Sequence, residues 1–217
     1  MTTATEISST AITTRIVLAT ENQGKLAELR ALVGPGIEVI GLGELDLTLP
    51  EETGSTFAEN AIVKAQTVTD ATGLVALADD SGLEVDALDG APGIYSARYA
   101  GEAHDDAANR AKLLAELAEV PAEQRSARFV SVIALVSPGE EPVTVRGTVE
   151  GTITFAERGT GGFGYDSLFE LANGKTLAEL SSEEKNAISH RGHAMRQIAP
   201  VVAERLSSSV PPASSEG

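Results

Sequence analysis

The sequence predicts an α/β protein in which helices flank a mixed β-sheet. In the first third of the chain, short apolar runs alternate with stretches whose apolar residues recur every three or four positions. This alternation is typical of parallel strands joined by helices. Farther along, two long runs rich in Val, Ile and Thr flank a loop containing Pro138-Gly139, which indicates an antiparallel hairpin. The 217 residues, 42% of them hydrophobic, can fill a sizeable core.

The first predicted elements form a strand, a loop, a helix and a second strand. Residues Arg15–Thr20 are largely β-branched and apolar, which predicts a strand. Leu26 and the apolar residues that follow it recur at helical spacing within Lys25–Val33, before a glycine, so we expect a helix there. Residues Ile37–Ile40 predict a second short strand.

The next helix carries its own start and stop signals. Residues Thr56-Phe57-Ala58-Glu59 have the capping-box pattern, and the helix should run to about Ala71 and end at Gly73. The apolar run Leu74–Ala78 then predicts a short buried strand.

In the second half of the chain we expect a helix, a hairpin and a long helical region. The helix covers Asp105–Glu119, and the hairpin strands are Arg128–Ser137 and Val143–Ala156. Tyr165–Phe169 continues as a strand-like run. The last helical region, Thr176–Leu206, should break near Gly192 and bend at Pro200, with His190 and Arg191 beginning a new helix.

Composition limits the compartment and the class of partner. The Thr/Ser-rich residues 1–14 predict a flexible leader, residues 15–206 a single domain, and the low-complexity residues 207–217 a disordered tail. No apolar stretch reaches the roughly 18 to 20 residues that span a bilayer, so we expect a cytoplasmic protein without a membrane partner. The formal charge of −16 argues against nucleic-acid binding, which depends on neutralising phosphates. A small anion can still bind where a few cations and a metal converge.

The most informative short segment is Ala-Asp-Asp-Ser-Gly at residues 78–82. It follows a predicted buried strand, so Asp79 and Asp80 should lie at the strand's end, facing a cleft. Burying two neighbouring carboxylates requires a compensating cation, and a hard divalent metal is the simplest one. A solvated turn explains the same residues equally well. Because the chain has no cysteine, oxygen or imidazole ligands must hold any metal, which favours Mg²⁺ or Mn²⁺ over structural zinc.

Two glycine-containing patterns do not have the context of familiar cofactor sites. Residues 159–164 read Gly-Thr-Gly-Gly-Phe-Gly, but they follow a long hairpin instead of opening a first strand-to-helix turn, so a dinucleotide site is not expected. The run Asn173–Thr176 ends like a phosphate-binding P-loop, yet the required first glycine falls on Phe169. The glycine run still permits close approach of a ligand, and Phe163 and Tyr165 could stack on a base; a β-turn with core aromatics is the alternative.

Two groups of cations are candidate phosphate or base contacts. Asn22 and Lys25 stand at a predicted helix N-terminus directly after the first strand, a position that favours phosphate. Lys185, His190 and Arg191 fall within seven residues of each other in a very acidic chain. Alternatively, Lys185 pairs with neighbouring glutamates on a solvated face, and His190 with His193 makes a poor zinc pair without an obvious third ligand.

Taken together, these segments resemble the non-canonical purine nucleoside triphosphate pyrophosphatases, the inosine/xanthosine triphosphatase or Ham1-like enzymes. The resemblance extends from about Ile16 to Leu206. One departure is Glu21, which stands where many relatives have glycine. The segments that carry the resemblance are residues 18–25 (LATENQGK), 51–61 (EETGSTFAENA), 78–83 (ADDSGL), 90–99 (GAPGIYSARY), 161–166 (GGFGYD) and 184–192 (EKNAISHRG).

This resemblance implies an elongated mixed α/β fold with two lobes and a central nucleotide cleft, usually in a homodimer. It also implies Mg²⁺-dependent hydrolysis of ITP, dITP or XTP to the monophosphate and pyrophosphate. Asp80 would serve as general base and metal contact, Asp79 would support it on the metal side, and Glu51 or Glu52 would be a further metal-side carboxylate. The residues expected to face the triphosphate are Thr20, Glu21, Asn22, Gln23, Gly24, Lys25, Lys64 and Ser81. Those expected at the base are Phe163, Gly164, Tyr165, Asp166, Lys185, His190 and Arg191.

Two other functions fit less well and remain as alternatives. One is a related Maf-like pyrophosphatase acting on pyrimidine or modified nucleotides, which the segment around His190-Arg191 disfavours. The other is a nucleotide-binding module without catalysis, for which Asp80 would be dispensable.

Overall fold

A six-stranded mixed sheet organises the described residues, which are 14–20, 26, 30, 37–101 and 104–208 of the computed structural model. The spatial order is β2-β1-β3-β4-β5-β6; β1 is parallel to β2 and β3, whereas β3 to β6 pair antiparallel. The predicted mixed α/β sheet is therefore confirmed. Its strands are β1 (Thr14–Leu18), β2 (Ile37–Gly41), β3 (Val75–Val85), β4 (Ser126–Val136), β5 (Val143–Ile153) and β6 (Phe169–Glu170).

Helices cover both faces of this sheet. They are α1 (Phe57–Thr72), α2 (Asp106–Glu116), α3 (Ser182–Ile188) and α4 (His190–Ser208). Successive side chains of a strand point to opposite faces. In β3, Ala76 accordingly packs in the cluster that contains Ala61 of α1, whereas Leu77 packs in the cluster that contains Ile198 of α4. Thus α1 and α4 lie on opposite sides of β3.

The boundaries of α1 follow the predicted capping signals. The Thr56 hydroxyl accepts a hydrogen bond from the main-chain N of Glu59, and the helix ends at Gly73. The Glu59 carboxylate reaches the main-chain N of Ser55, at 2.7 Å, so the second bond of the predicted capping box goes one residue upstream. This firm start places the polar residues of the first two turns beside β3.

Two expected strand boundaries were wrong, and the expected break between the last helices was displaced by three residues. β3 does not end at Ala78 but continues to Val85, because every residue from Ala76 to Val85 is in register with β4. The run Tyr165–Phe169 is mostly turns, with sheet pairing only from Phe169. The break between the last helices lies at Ser189, three residues before Gly192, and the prediction that His190 and Arg191 begin a new helix is confirmed.

A local cap and a close contact explain that last break. The Ser189 hydroxyl accepts a hydrogen bond from the N of Gly192 at 3.0 Å, as an N-cap residue does. The new helix then lies directly on β5 at Gly147, where a Cβ would overlap the main chain of His190 and Ala194. Glycine at this position lets α4 begin against the sheet, which sets the location of His190 and Arg191.

Several predictions fall partly or wholly outside the described residues. Of the helix predicted over Lys25–Val33, only Leu26 and Arg30 are described, and both are helical. The leader prediction falls on residues 1–14, of which 1–13 are not described, and the tail prediction falls on residues 207–217, of which 209–217 are not described. Within the described part, no helix is long and apolar enough to cross a membrane.

Candidate active site

Asp79 and Asp80 are neighbours in β3 that serve opposite faces of the sheet. Both are buried, with 4% and 6% of their surface exposed, which contradicts the solvated-turn interpretation. Strand alternation sends Asp80 toward Lys64 on α1 and Asp79 toward Arg191 on α4. The two carboxylates therefore belong to two different clusters instead of forming one paired site.

The Asp80 cluster is centred on the ammonium group of Lys64. Lys64 Nζ donates to Glu52 Oε1 at 2.7 Å, to Asp79 O at 3.0 Å and to Asp80 Oδ1 at 3.1 Å. Asn60 Nδ2 donates to the other Asp80 oxygen at 3.2 Å. Asn60 and Lys64 are four residues apart and so share one face of α1. This helix thus brings a cation and an amide donor to a carboxylate in the middle of a strand.

Burial and charge act in opposite directions on the pKa values of this cluster. Burial raises the pKa of Asp80, and the partly opposing attraction of Lys64 does not cancel that effect. Burial also works to raise the pKa of Glu52, but the hydrogen bond and charge of Lys64 outweigh it and leave that pKa below its usual value. The two carboxylates likewise outweigh burial at Lys64 and raise its pKa. Lys64 is therefore a firmly charged ammonium, and Asp80 is the more readily protonated carboxyl.

The geometry distinguishes the two glutamates that the sequence left as alternatives. Glu52 is half-buried, contacts Lys64, and has Arg98 Nη1 3.7 Å from its Oε2. Arg98 Nη2 also donates to the main-chain O of Glu52 at 3.3 Å. Glu51 is exposed. Glu52 is thus the glutamate that shares a cluster with Asp80.

The start of the predicted phosphate loop lies beside this cluster. The main-chain N of Ala19 donates to Leu77 O at 2.7 Å, so the end of β1 runs next to the part of β3 that precedes the two aspartates. Thr20 follows directly and is half-buried. The other predicted loop residues, Glu21, Asn22, Gln23, Gly24 and Lys25, lie outside the described residues.

On the opposite face, Asp79 accepts hydrogen bonds from side chains of β3, β4 and α4. Its Oδ1 accepts from the hydroxyls of Ser81 at 2.6 Å and Ser131 at 2.5 Å. Its Oδ2 accepts from Arg191 Nε at 3.3 Å. Because Arg191 is only 8% exposed, Asp79 supplies a buried countercharge that orients this guanidinium at the first turn of α4.

A cavity of about 590 Å³ opens on this same face. Its volume is within the range of small-molecule sites, roughly 300 to 1,000 Å³. Ser81 and Leu83 of β3, Phe129 of β4, the glycine-rich loop and the first residues of α4 contribute to its wall. The His190 ring stacks on Phe129, with 5.1 Å between centroids and 13° between planes. The cavity brings together all of the residues predicted for the base: Phe163, Gly164, Tyr165, Asp166, Lys185, His190 and Arg191.

Lys185 pairs across this cavity with Asp166 and not with neighbouring glutamates. Its Nζ lies 2.5 Å from Asp166 Oδ2 and 4.6 Å from the centre of the Phe163 ring. Phe163 is 63% exposed, so a face of its ring is available for stacking. Tyr165 instead is buried in the wall, where its hydroxyl donates to Ser96 O at 2.8 Å and burial raises its pKa. Of the two predicted stacking aromatics, Phe163 is the exposed one.

Sequence reasoning missed several polar residues that hold these clusters. Asn60 could have been found, because helical spacing from Lys64 places it on the same face. Ser131 had a weaker signal, a polar residue inside an apolar strand, but its pairing with Asp79 depends on the register between β3 and β4. Arg98 had no separate signal. Within the described ranges, no three His, Asp or Glu side chains are arranged to hold a metal by themselves.

The chain that carries this arrangement is similar to known proteins. A sequence profile of the Ham1 family matches residues 16–201. The chain belongs to the Ham1 family. It is 53% identical over 188 residues to a protein of Exiguobacterium sibiricum named dITP/XTP pyrophosphatase, covering 85% of this chain and 94% of that protein. It is 50% identical over 199 residues to a Streptomyces coelicolor protein of the same name, covering 89% and 99% respectively.

Solved structures of Ham1 proteins have the same fold. The HAM1 protein from Coxiella burnetii is 46% identical, covers 88% of this chain and 99% of its own, and gives a TM-score of 0.83. The Ham1 protein of Staphylococcus aureus, also 46% identical, gives 0.82 over 88% of this chain and 98% of its own. The family fold inferred from the sequence is thus confirmed.

Proposed function

We propose that this Ham1-family chain hydrolyses non-canonical purine nucleoside triphosphates, ITP, dITP and XTP, to the monophosphate and pyrophosphate. The observation that carries the proposal is that the Asp80 cluster and the cavity lie on the two faces of the same strand, β3. The cluster of Glu52, Lys64 and Asp80 suits charged phosphoryl groups, and the cavity on the other face of β3 has room for a purine. The described part of β1 pairs with β3 only as far as Leu77, so a nucleotide lying beyond the end of β1 can reach both faces. The relatives named dITP/XTP pyrophosphatase support the same conclusion.

Within this site Asp80 is proposed as the general base. Asp80 is a buried carboxylate held in place by Lys64 and Asn60, and a positioned base contributes about 10² to 10⁴ in rate. Lys64 offsets charge on the phosphate oxygens, and Asn60 fixes the orientation of the carboxylate. We place Thr20 and the loop residues Glu21 to Lys25 near the triphosphate, whereas Ser81, which donates to Asp79 and lines the cavity, lies on the side of the base.

The donor set at the cluster fits a hard divalent cation. Glu52 and Asp80 lie close enough to contact the same Lys64 ammonium, and Mg²⁺ commonly binds through one or two carboxylates together with water and substrate phosphate. We propose that Glu52 and Asp80 hold Mg²⁺, with Mn²⁺ as a substitute. Bound there, the cation would neutralise phosphate charge and lower the pKa of water. Asp79, on the other face, is given the role of orienting Arg191.

Donors in the cavity provide a basis for choosing the purine. Hypoxanthine and xanthine carry a 6-oxo group where adenine carries an amine. Lys185, His190 and Arg191 can donate to an oxo group, whereas an amine would leave buried donors unpaired, a mismatch that enzymes reject strongly. Phe163, with its exposed ring, is proposed to stack on the base.

Two further properties complete the proposal. We infer a homodimer from the family resemblance, to be tested by light scattering of the purified protein; a mass of one chain would contradict it. We also infer a cytoplasmic location, since the enzyme would act on the nucleotide pool. Fractionation of cells that express the tagged chain tests this location.

The substrate assignment predicts a clear preference in a panel of nucleotides. With Mg²⁺, the purified protein should release pyrophosphate from ITP and XTP at least about 100-fold faster than from ATP, because donors left unpaired by an amine cost several kcal/mol. EDTA should abolish turnover, and added Mg²⁺ should restore it. Equal turnover of ATP, or release of orthophosphate, would refute the assignment.

The metal-side glutamate can be identified with a matched pair of variants. Glu52→Gln should lower kcat/KM by about tenfold or more at limiting Mg²⁺, equal to about 1.4 kcal/mol, because it removes a carboxylate beside Lys64. Glu51→Gln, its exposed neighbour, should remain within about twofold of the wild type. Steady-state kinetics over a Mg²⁺ titration measures both. The reverse order would assign the role to Glu51.

A further inference from the structure

The glycine-rich wall of the cavity is held by α2, which also contributes Asp106 to the lining of the cavity. The main-chain N of Gly164 donates to Asp106 Oδ2 at 2.8 Å, and its O accepts from Arg110 Nη1 at 2.9 Å. Asp106 and Arg110 are one turn apart on α2. Both main-chain polar groups of Gly164 are therefore engaged by the same helix.

The bond from Gly164 N to Asp106 adds to other hydrogen bonds that hold the peptide after Phe163. The N–H of the Phe163-Gly164 peptide goes to Asp106, and its carbonyl accepts from the N of Asp166 at 3.2 Å. The N of Phe163 itself donates to Asp166 Oδ2 at 2.8 Å. Gly164 has a φ of +58°, in the left-handed region that favours glycine. An otherwise exposed aromatic ring is thus carried on backbone that is bonded on both sides.

The helix that provides this support is itself firmly attached. The Asp105 side chain caps it by accepting from the N of Ala107 at 2.9 Å and of Ala108 at 3.1 Å. Asn109, 2% exposed, accepts from the N of Ala100 at 2.6 Å and donates to Ala97 O at 3.1 Å. Leu113 and Leu117 are buried in the core. The hydrogen bonds from Asp106 and Arg110 therefore attach the glycine-rich loop to a helix that is itself held by its cap and by the core.

We propose that Asp106 and Arg110 are positioning residues for purine recognition, because they clamp Gly164 and so set where the Phe163 ring stands in the cavity. The proposal rests on the proposed function for the identity of the ligand. Arg110 does not line the cavity, so a loss of affinity in Arg110→Ala reports on the position of the loop and not on a lost contact with the base. Loss of either bond should let the loop shift and weaken stacking without altering the Asp80 cluster, which lies across the sheet.

The test measures binding and turnover separately. Asp106→Ala and Arg110→Ala should each raise the dissociation constant of IMP, measured by calorimetry, and the KM for ITP by about tenfold, while kcat stays within about threefold. Asp106→Asn keeps an oxygen acceptor for Gly164 and should restore most of the IMP affinity. Unchanged IMP affinity in both alanine variants, or an asparagine variant as weak as Asp106→Ala, would overturn the proposal.

Two control variants distinguish loss of the bonds to Gly164 from a general change in charge and from loss of the ion pair between Arg110 and Glu157. Glu157→Gln removes the carboxylate 2.9 Å from Arg110 Nε but leaves the bond to Gly164, so IMP affinity should be retained. Arg15→Ala removes one exposed cation at a distance and should also bind normally. If the alanine variants do not fold, Arg110→Lys, which lacks the guanidinium fork, should show the same direction of change in IMP affinity; no change would overturn the proposal.

The IMP measurement also keeps this inference distinguishable from the proposed function. If wild-type protein binds IMP but releases no pyrophosphate from ITP, the catalytic assignment fails, and the clamp is still decided by the variants. If the nucleotide panel succeeds and the variants bind IMP like the wild type, the clamp alone fails.

Discussion

Asp80→Asn is expected to lower the turnover of ITP by about three orders of magnitude, within the range by which a general base contributes. The substitution preserves shape and keeps an acceptor for Lys64, but it removes the proton-accepting charge and a metal-side carboxylate. KM should change much less than kcat, because the cavity that we propose for the purine lies on the other face of β3. Steady-state kinetics with a pyrophosphate readout measures the effect.

The matched control is Asp70→Asn, an exposed aspartate at the far end of α1. It should have the activity of the wild type within about twofold, since exposed substitutions away from special contacts are nearly neutral. Residual turnover above about one tenth in Asp80→Asn would remove Asp80 from the role of base. Retained ITP binding with a retained cellular role would favour the non-catalytic binding module.

Asp79→Ala is expected to lower the free energy of unfolding by about 3 kcal/mol or more. The reason is that Arg191 and the hydroxyls of Ser81 and Ser131 lose a shared buried acceptor. The free energy of unfolding from urea titration measures this loss. The remaining folded protein should also have a higher KM for ITP, because Arg191 is no longer held at the cavity.

Asp86→Ala provides a close comparison on the same chain. Asp86 also accepts from a serine and an arginine, Ser126 and Arg128, but it is exposed. Screening by water should make its removal far less costly. If the two variants lost similar stability, burial of the Asp79 network would not be the cause.

Local patterns in the sequence predicted the elements well where they carried their own signals. The cap at Thr56 and the stop at Gly73 bounded α1, and the Val- and Ile-rich runs bounded the hairpin. The extent of β3 could not be predicted the same way. A strand usually ends at a polar cluster, but pairing with β4 satisfies its backbone, and partners from both helices satisfy the aspartates.

The sequence predicted which segments contribute to the site, but not which of their side chains contact each other. The sequence placed Asp79 and Asp80 together, and only strand alternation within a long β3 separates them onto two faces. The choice of Glu52 over Glu51 depends on which one reaches Lys64, a contact made across twelve residues of chain. Likewise, the sequence did not distinguish Tyr165 from Phe163 as the stacking residue. In the structure, the Tyr165 hydroxyl donates to Ser96 O, which makes Tyr165 part of the cavity wall.

The central claim is that Asp80 acts in catalysis, whereas Asp79 orients Arg191 for binding. The most direct test is to measure, by calorimetry, the binding of IMP to Asp79→Asn and to Asp80→Asn side by side. Asp80→Asn should bind IMP at least as tightly as the wild type although it has lost turnover, because the cavity is untouched and one negative charge is gone. Asp79→Asn should bind about tenfold more weakly, because Arg191 loses its charged partner. Weak binding by Asp80→Asn together with normal binding by Asp79→Asn would contradict the claim.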